Sequence, residues 1–421
     1  MKRKSFLAVV AVVLCMVMML GAVSFSAADE GEVVTIRFMG YNSPASRATY
    51  LQFLADQLPG IEIQFEYVSL NDDFNGILNA QLAAGAGPDI IELGGETKLL
   101  AMAGRLLDLS DQDFVAKYAQ AGVAPYTWEG GMYGIPLQSW YEGFFYNKAI
   151  FAEHGISIPK SLDALIQVHK DLAAAGVKPH TMGAASWQPM MKQTMGVVNN
   201  EFYSDPANND FDAKFNAGEA FLADAWLPAV TEWYRMIEEG CLTTDMLGVS
   251  AEEALNEFAT GGAAMYQSGP WDQASLFAAN PDLALGMFPF PGVAEGPGWL
   301  VGGPGSSLCV NAASDKIEAA LQVLALTSTP EAQIALVKDN PGSSFLVGVE
   351  VDLGDIYLDC AEAFALGNVY ACWTAAWDFG NPVVEPYGKS LQEVLAGRKT
   401  VAEALADADA ANTIMREEVM N

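Results

Sequence analysis

The chain has 421 residues, 51% of them hydrophobic, and a formal net charge of −31. A length well beyond roughly 250 residues predicts more than one domain, and the hydrophobic content excludes wholesale disorder. The negative charge argues against nucleic acid and anionic membrane surfaces as partners, because their phosphates would repel it, and it favours a soluble monomer.

The first 28 residues have the pattern of a secretory signal peptide. Basic residues at positions 2–4 precede an apolar stretch, and Ser26 and Ala28 give small residues at a cleavage site. We therefore expect export to the periplasm and removal of residues 1–28. The alternative is an uncleaved anchor, because the apolar stretch is nearly long enough to span a bilayer. No small residue precedes Cys15, which argues against a lipid anchor.

Strand-like and helix-like stretches alternate from residue 33 onward. VVTIRFMGY (33–41), IEIQFEYV (61–68) and PDIIEL (88–93) predict three strands, the last short and apolar. The stretches between them, SRATYLQFLADQL and LNDDFNGILNAQLAAG, predict helices. Strands alternating with helices are typical of a parallel sheet covered on both faces.

Polar residues follow the predicted first and third strands. Asn42 and Ser43 come after the first strand, and Glu96 comes after the glycine pair that follows the third. Ligands of open α/β sheets bind beyond the carboxyl ends of the strands. These three residues are therefore candidate ligand-binding residues. Glu96 could also lie in the N-cap region of the helix predicted for ETKLLAMAG.

The alternation continues to the end of the chain. MYGIPL and EGFFYNK predict strands, and SLDALIQVHKDLAAAG predicts a helix capped by Ser161. Helices are predicted at 216–239 and 250–260, and strands in AAMYQ, LALGMFPFP and SSLCVN. The C-terminal third is mostly helical. This pattern predicts two α/β lobes.

Four cysteines lie beyond position 15: Cys241, Cys309, Cys360 and Cys372. Cys360 and Cys372 are close in sequence and form the candidate disulfide, with four buried free thiols as the alternative.

No CxxC occurs, so the usual zinc spacing is missing. The oxygen-rich DPANNDFD (205–212) lacks the glycine of a calcium-binding EF-hand loop. We expect no bound metal and no cofactor.

Four collinear stretches of this chain resemble the extracellular solute-binding proteins of carbohydrate ABC importers, the family 1 group that is maltose-binding-protein-like. They are GAGPDIIELGG; WEGGMYGIPLQSWYEGFFYNKAIFAEHGISIPKSLDAL; GGAAMYQSGPWD followed by LGMFPFPG; and VNAASDKIEAALQVLALTSTPEAQ with LAGRKTVAEAL. The resemblance implies a two-lobe periplasmic-binding-protein fold. Each lobe is expected to be a mostly parallel sheet flanked by helices, and multiple hinge crossovers join the lobes.

The resemblance also implies a division of the chain and a function. The N-lobe would comprise residues 29–138 and 308–345, and the C-lobe residues 139–307 and 346–421, the last part helical. A sugar or oligosaccharide would bind in the cleft between the lobes, and the protein would deliver it to the membrane permease of an ABC importer.

A sugar offers hydroxyl groups and flat C–H faces, so its site combines polar and aromatic side chains. The chain has nine tryptophans. Trp271, in the turn SGPWDQ, is the leading candidate for stacking on the sugar, and Asp272 could accept a hydroxyl hydrogen bond. Trp140 and Tyr141 follow IPLQS, where the resemblance implies a crossing between lobes. Trp187 lies in the loop AASWQP.

The stretch CWTAAWDFGNP adds three further candidates, Trp373, Trp377 and Asp378. Trp373 and Trp377 are four residues apart and would share one face of a helix, so a place in the core is the alternative. Trp226 and Trp233 belong to an amphipathic helix, and we expect both in the core.

A secreted glycoside hydrolase is the rival function. It needs two carboxylates across the scissile bond, but with 52 acidic residues such pairs carry no information. The sequence has no G-x-S-x-G, no H-E-x-x-H, and no lysine in the loop VGGPGSS that a phosphate-binding sequence would require. We therefore expect a binding protein and not an enzyme. Polyamines, peptides and glycerol phosphate remain alternative ligands of the same architecture.

Overall fold

The computed structural model describes residues 33–70 and 73–420. The predicted signal peptide, residues 1–28 with Cys15, lies outside the described residues. Within them the chain forms twelve β-strands: β1 Val34–Gly40, β2 Ile61–Tyr67, β3 Ile90–Leu93, β4 Thr127–Trp128, β5 Gly131–Met132, β6 Ile135–Pro136, β7 Ser139–Asn147, β8 His180–Thr181, β9 Met265–Ser268, β10 Leu285–Phe288, β11 Val301–Pro304 and β12 Ser307–Val310.

The same residues form eighteen α-helices: α1 Pro44–Gln57, α2 Phe74–Ala83, α3 Thr97–Met102, α4 Gln120–Val123, α5 Lys148–Glu153, α6 Leu162–Ala174, α7 Gln188–Val198, α8 Phe211–Ala217, α9 Leu222–Ala225, α10 Leu227–Glu238, α11 Ala251–Ala259, α12 Gln273–Ala279, α13 Ile317–Thr327, α14 Pro330–Lys338, α15 Ala361–Leu366, α16 Cys372–Ala375, α17 Gly380–Leu395 and α18 Val401–Met420. No helix in the described part of the chain is both long enough and apolar enough to cross a bilayer.

The first lobe is built on a five-stranded sheet in the order β2–β1–β3–β12–β6. Strand β1 pairs with β2 and β3 in parallel, whereas β12 runs antiparallel to both β3 and β6. Successive residues of a strand face opposite sides of the sheet. Ile90 accordingly packs in one hydrophobic core with helices α1 and α13, and Ile91 packs in another with α2. The predicted sheet covered on both faces is confirmed for this lobe.

The second lobe has the strand order β10–β7–β9–β8, and β11 pairs with the first half of β7. The two-lobe α/β fold is therefore confirmed. The expected mostly parallel sheet is found here too, because β8, β9, β10 and β11 run in the same direction and β7 runs antiparallel to them. Central strands buried on both faces are mostly apolar, so their sequences do not reveal the direction of their neighbours.

Two crossings between the lobes lie side by side. The chain passes from β6 to β7 and returns from β11 to β12. The amide of Leu137 donates to the carbonyl oxygen of Ser306 at 2.9 Å, and the amide of Gly305 donates to that of Gln138 at 3.0 Å. A β-carbon on Gly305 would overlap the Gln138 carbonyl oxygen. The close approach of the two backbones therefore requires glycine at position 305.

The third passage follows α14. The amide of Ser139 donates to the carbonyl oxygen of Ser343 at 2.8 Å, so this segment lies beside the first crossing. Leu346 and Val349 pack in the core of the first lobe, whereas Tyr357 packs in the second. The chain therefore enters the second lobe for the last time after Val349.

Helices α17 and α18 complete the second lobe by packing on α7, α9 and α10. Trp226 and Trp233 are fully buried in the core between these helices, as predicted.

The four cysteines of the described chain are buried free thiols, so the predicted disulfide between Cys360 and Cys372 is wrong. The thiol of Cys360 donates to the carbonyl oxygen of Met287 at 3.3 Å and lies in a core with Tyr357. Cys372 lies in a different core with Trp373. Helix α15 separates the two cysteines along the chain, and this places their thiols in different hydrophobic clusters.

Candidate functional site

Three predicted tryptophans meet in the second lobe: Trp140 on β7, Trp271 after β9 and Trp373 on α16. We call them the tryptophan cluster. The ring centroids of Trp140 and Trp271 are 6.2 Å apart at an interplanar angle of 52°, and those of Trp140 and Trp373 are 5.7 Å apart at 55°. Trp140 and Trp271 are half-buried and form an aromatic surface to which the C–H face of a ring can bind, and Trp373, which is 5% exposed, packs against Trp140 from the core.

The turn that carries Trp271 follows directly from the sequence SGPWD. Strand β9 ends at Ser268, and Pro270 opens a short 3-10 turn over Pro270–Asp272. A side chain at Gly269 would overlap both the indole of Trp271 and the carbonyl oxygen of Tyr141. Glycine is therefore needed for Trp271 to fold back onto the start of β7.

Asp272 is held next to the cluster as a hydrogen-bond acceptor. The hydroxyls of Tyr266 and Ser268 both donate to its Oδ2 atom at 2.6 Å. Burial raises the pKa of Asp272, and the two hydroxyl hydrogen bonds oppose that rise because they stabilise the carboxylate. No donor in the described part of the chain is hydrogen-bonded to its other oxygen, Oδ1, so this oxygen remains available as an acceptor.

Two charged residues beside the cluster were missed by the sequence analysis. The Nζ atom of Lys192, on α7, lies 5.3 Å from the ring centroid of Trp140 and 5.0 Å from that of Trp271. It donates to Oε2 of Glu142 at 2.8 Å. The signal for Glu142 was present, because residues two apart on a strand face the same side, and Trp140 was already a candidate. No local sequence pattern identified Lys192, which is a single basic residue in the stretch QPMMKQTM.

The structure corrects the prediction for Tyr141. Because Trp140 faces the cluster, Tyr141 must face the other side of β7. It is 1% exposed and packs edge-on against Tyr357 and Phe364 in the core of the lobe. Tyr141 is therefore a core residue.

Trp377 is also corrected to a core residue. Helix α16 ends at Ala375, so Trp373 and Trp377 do not share a helical face. The Trp377 ring stacks on Trp226 at 5.7 Å, and its Nε1 atom donates to Oδ1 of Asp212 at 2.8 Å. The core alternative for this stretch thus holds for Trp377, and Trp373, which is 5% exposed, lies in the same core while its ring contacts Trp140.

Trp187 lies apart from the tryptophan cluster. It is half-buried just before α7, and a side chain on Gly388 of α17 would overlap its ring. Within residues 33–70 and 73–420 its indole has no ring contact with the cluster.

On the first lobe, Asn42 and Ser43 have structural partners. Ser43 caps α1, because its hydroxyl oxygen accepts from the amide of Ser46 at 3.3 Å. The Nδ2 atom of Asn42 donates to Oε1 of Glu92 at 2.6 Å. Glu92 is fully buried in β3, a strand that the sequence analysis interpreted as apolar. It is the carboxylate at this strand end that the sequence analysis missed.

Glu92 and Asn42 belong to a closed ring of hydrogen bonds, which we call the buried polar ring. Oε1 of Glu92 accepts from Nη2 of Arg47 at 2.5 Å, and Nη1 of Arg47 donates to Oε1 of Gln138 at 3.2 Å. Nε2 of Gln138 donates to the Asn340 carbonyl oxygen at 3.0 Å, and Nδ2 of Asn340 donates to Oδ1 of Asn42 at 3.3 Å. The ring therefore ties the crossing segments at Gln138 and Asn340 to the first lobe.

The other crossing is attached to the same carboxylate. The hydroxyl of Ser306 donates to Oε1 of Glu92 at 2.5 Å. The second oxygen of Glu92 faces Gly40, where a β-carbon would lie 2.7 Å from it. Gly40, the last residue of β1, is therefore needed to make room for the carboxylate.

The remaining candidates, Glu96 and Asp378, meet partners from the opposite lobe. Oε1 of Glu96 accepts from Nδ2 of Asn381, at the start of α17. Nζ of Lys98, on α3, pairs with Oδ1 of Asp378 at 3.3 Å. Leu99 of the same helix packs against the core of the second lobe. The start of α3 thus contacts the segment between Trp373 and α17.

A polar cavity of about 500 Å³ lies elsewhere, at the opposite end of the first-lobe sheet. Its walls include Arg37, Asp89, Arg105 and Lys316, and no aromatic residue lines it. The tryptophan cluster is the better candidate for a sugar, because it offers both aromatic faces and hydrogen-bonding groups.

In the described chain no group of three or more His, Cys, Asp or Glu residues is arranged to hold a metal ion.

A family model described as "Bacterial extracellular solute-binding protein" matches residues 42–334. Over 275 residues the chain is 21% identical to the multiple sugar-binding protein of Streptococcus mutans. That match covers 62% of this chain and 63% of the relative. The chain thus matches less than two thirds of the length of this relative.

Solved structures share the fold over nearly their whole length. One is a family 1 extracellular solute-binding protein from Bifidobacterium longum subsp. infantis, with a TM-score of 0.67 and 23% identity over 90% of this chain and 99% of that one. Another is a sugar transporter protein of Bacillus licheniformis in complex with stachyose. Its TM-score is 0.66, with 20% identity over 90% of this chain and 98% of that one. Together these likenesses establish the two-lobe fold.

Proposed function

Because the chain belongs to the family of bacterial extracellular solute-binding proteins, we propose that it binds a sugar or oligosaccharide in the cleft between its lobes. The family is one of binding proteins, and its members act outside the cytoplasm. We extend this to a periplasmic protein without a lipid anchor that delivers its ligand unaltered, as a monomer, to the permease of an ABC importer.

The tryptophan cluster is the observation that carries this proposal. Trp140 and Trp271, with the buried Trp373 packed against Trp140, form an aromatic surface, and Asp272 beside it offers a carboxylate oxygen to hydroxyl groups. Sugars are distinguished from other polar solutes by C–H faces that bind to aromatic rings. The names of relatives point the same way, since one binds multiple sugars and another was solved with stachyose.

The proposed mechanism is closure of the two lobes about the crossing segments, a hinge motion. The proposed moving bodies are the predicted lobes, and the packing of Leu346 and Val349 in the core of the first lobe supports a last limit after Val349. A sugar that contacts both lobes favours the closed form by its difference in affinity between the two states. Glu96 and Asn42 are the first-lobe groups proposed to reach it, with Trp187 and Asp378 as outer contacts of the second lobe.

The test begins with a thermal-shift panel of neutral mono- and oligosaccharides, polyamines, peptides and glycerol phosphate, because a ligand that binds the folded state raises the melting temperature. The best ligand is then titrated calorimetrically into the parent and the Trp271→Ala variant. We expect Kd to rise at least roughly tenfold, because an indole face is lost from the site.

Trp299→Ala is the matched control, because Trp299 is also half-buried in the same lobe but lies outside the cluster. It should bind like the parent. If no sugar binds the parent while a polyamine, a peptide or glycerol phosphate does, the sugar assignment is wrong. Turnover of a bound oligosaccharide would favour the hydrolase instead.

A further inference from the structure

We propose that Lys192 is a specificity-determining residue of this site, which donates hydrogen bonds to hydroxyl groups of a neutral sugar stacked on Trp140 and Trp271. This inference rests on the proposed function, and it names the class of sugar. It follows from the position of the ammonium group, from how that group is held, and from the charges around it.

The ammonium group is held in place by a chain of hydrogen bonds that begins in the protein core. Nε1 of Trp233 donates to Oε1 of Gln193 at 2.7 Å, and Nε2 of Gln193 donates to Oε1 of Gln267 at 3.2 Å. Nε2 of Gln267 donates to Oε1 of Glu142 at 2.8 Å, and Oε2 of Glu142 accepts from Lys192 at 2.8 Å. Each member fixes the next, so Lys192 is oriented before any ligand binds, and little conformational entropy is lost on binding.

Lys192 has unused donors where a stacked sugar would lie. An ammonium group has three N–H donors, and among the described residues only Glu142 accepts a hydrogen bond from Lys192. The other near neighbours of its Nζ atom are the indoles of Trp140 and Trp271. The Lys192 side chain is 14% exposed, against 3% for Glu142, so Lys192 is the more accessible member of the pair.

The charges near the cluster favour a neutral ligand. The positive charge of Lys192 is matched by Glu142, and Asp272 adds a second carboxylate within electrostatic reach of both residues. A sugar carboxylate would have to be desolvated beside these two carboxylates, whereas a hydroxyl can donate to Asp272 and accept from Lys192. The site should therefore discriminate against uronic acids.

The test compares Lys192→Met, Lys192→Arg and a matched control, Lys170→Met, in calorimetric titrations with raffinose, stachyose and digalacturonate. Lys170 lies in the same lobe and pairs with Glu239 on the surface. We expect the parent to bind a neutral oligosaccharide at least tenfold more tightly than digalacturonate. Lys192→Met should weaken that binding at least tenfold. Lys192→Arg should lose less affinity than Lys192→Met, because the positive charge and the N–H donors are kept, and the control should match the parent.

A second measurement needs no ligand. The indole fluorescence of Lys192→Met should change in intensity or wavelength relative to the parent, because the ammonium group no longer lies over two indoles; Lys170→Met should not change it. Since Lys192→Met leaves Glu142 buried without its partner, the double variant Lys192→Met/Glu142→Gln provides a neutral replacement of the pair. It should show the same loss of affinity.

The outcomes separate the two proposals. If the parent binds raffinose or stachyose and both Lys192→Met and the double variant bind it within threefold of the parent, the role of Lys192 is refuted and sugar binding stands. Tighter binding of digalacturonate than of the neutral sugars would refute the substrate class. If a wider panel of sugars also fails to bind the parent, the proposed function itself falls, and the inference falls with it.

Discussion

Replacing Glu92 by glutamine should destabilise the first lobe by about 3–5 kcal/mol, the usual cost of removing one partner from a buried ion pair. Glu92 and Arg47 are both fully buried, and Oε1 of Glu92 lies 2.5 Å from Nη2 of Arg47. Glutamine keeps an acceptor for the donors Asn42 and Ser306. It leaves the charge of Arg47 in the protein interior with neutral acceptors only, the amide oxygen at position 92 and that of Gln138.

The assay is urea unfolding of four proteins: the parent, Glu92→Gln, Arg47→Met and the double variant, followed by far-ultraviolet circular dichroism. A loss of about 3–5 kcal/mol corresponds to a fall in the melting temperature of roughly 6–20 °C for a body of 150–250 residues. The double variant should be more stable than either single variant, because no unpaired charge remains buried. An exposed pair, Lys389 with Glu385, provides the control Lys389→Gln, which should change stability little.

Two results would refute this reasoning. A loss below about 1 kcal/mol in both single variants would mean that water or other groups solvate the remaining charge. If the loss in free energy of unfolding of the double variant equals the sum of the losses of the two single variants, Glu92 and Arg47 act independently. Coupled neighbours depart from such additivity.

Three further predictions concern pH, lobe closure and the cluster. Burial lowers the pKa of His169 to about 4, against roughly 6.5 in an unfolded chain. The unfolded chain therefore binds a proton that the folded chain excludes, and the free energy of unfolding should fall by about 3 kcal/mol from this group as the pH drops from 6.5 to 4. Urea unfolding at pH 7 and pH 4.5 should show His169→Phe losing part of this acid dependence. Lys98→Met, which removes the ion pair with Asp378 between the lobes, should raise the ratio of open to closed molecules roughly twofold to fivefold in spin-label distance measurements. Tyr141→Phe should bind the sugar within about twofold of the parent in calorimetry, because its ring lies on the core side of β7.

Each of these three predictions has a control variant or a result that would contradict it. His154 is exposed, so His154→Asn should keep the full acid dependence; equal acid dependence in His169→Phe and the parent would contradict the assignment to buried His169. Lys170→Met removes an ion pair within one lobe and should leave the interlobe distances unchanged. A tenfold loss of affinity in Tyr141→Phe would place that side chain in the site after all.

Local patterns in the sequence were sufficient for most elements of the fold. The alternation of helices with apolar strands identified the first-lobe sheet, since burial on both faces requires apolar residues on both sides of β1 and β3. The turn SGPWD identified Trp271, because a glycine and a proline before an aromatic residue mark a loop and not a core helix. Trp226 and Trp233 were placed in the core by their helical periodicity.

The errors came from features that no local pattern carries. The antiparallel direction of β7 within its otherwise parallel sheet was not predicted, because it depends on how segments far apart in sequence return to it. Spacing alone could not separate Trp373 from Trp377, because the helix ends between them and their rings face different neighbours. Spacing also could not show that Cys360 and Cys372 lie in different cores.

The sequence by itself determined the two α/β lobes and most of the aromatic residues of the candidate site, because hydrophobic periodicity and turn residues act within a few positions of the chain. The tertiary structure alone decided which charges are buried and what they bind. Glu92 meets Arg47 and Lys192 meets Glu142 across 45 and 50 positions. A buried charge is stable only where its partners are brought to it, and that is a property of the folded chain.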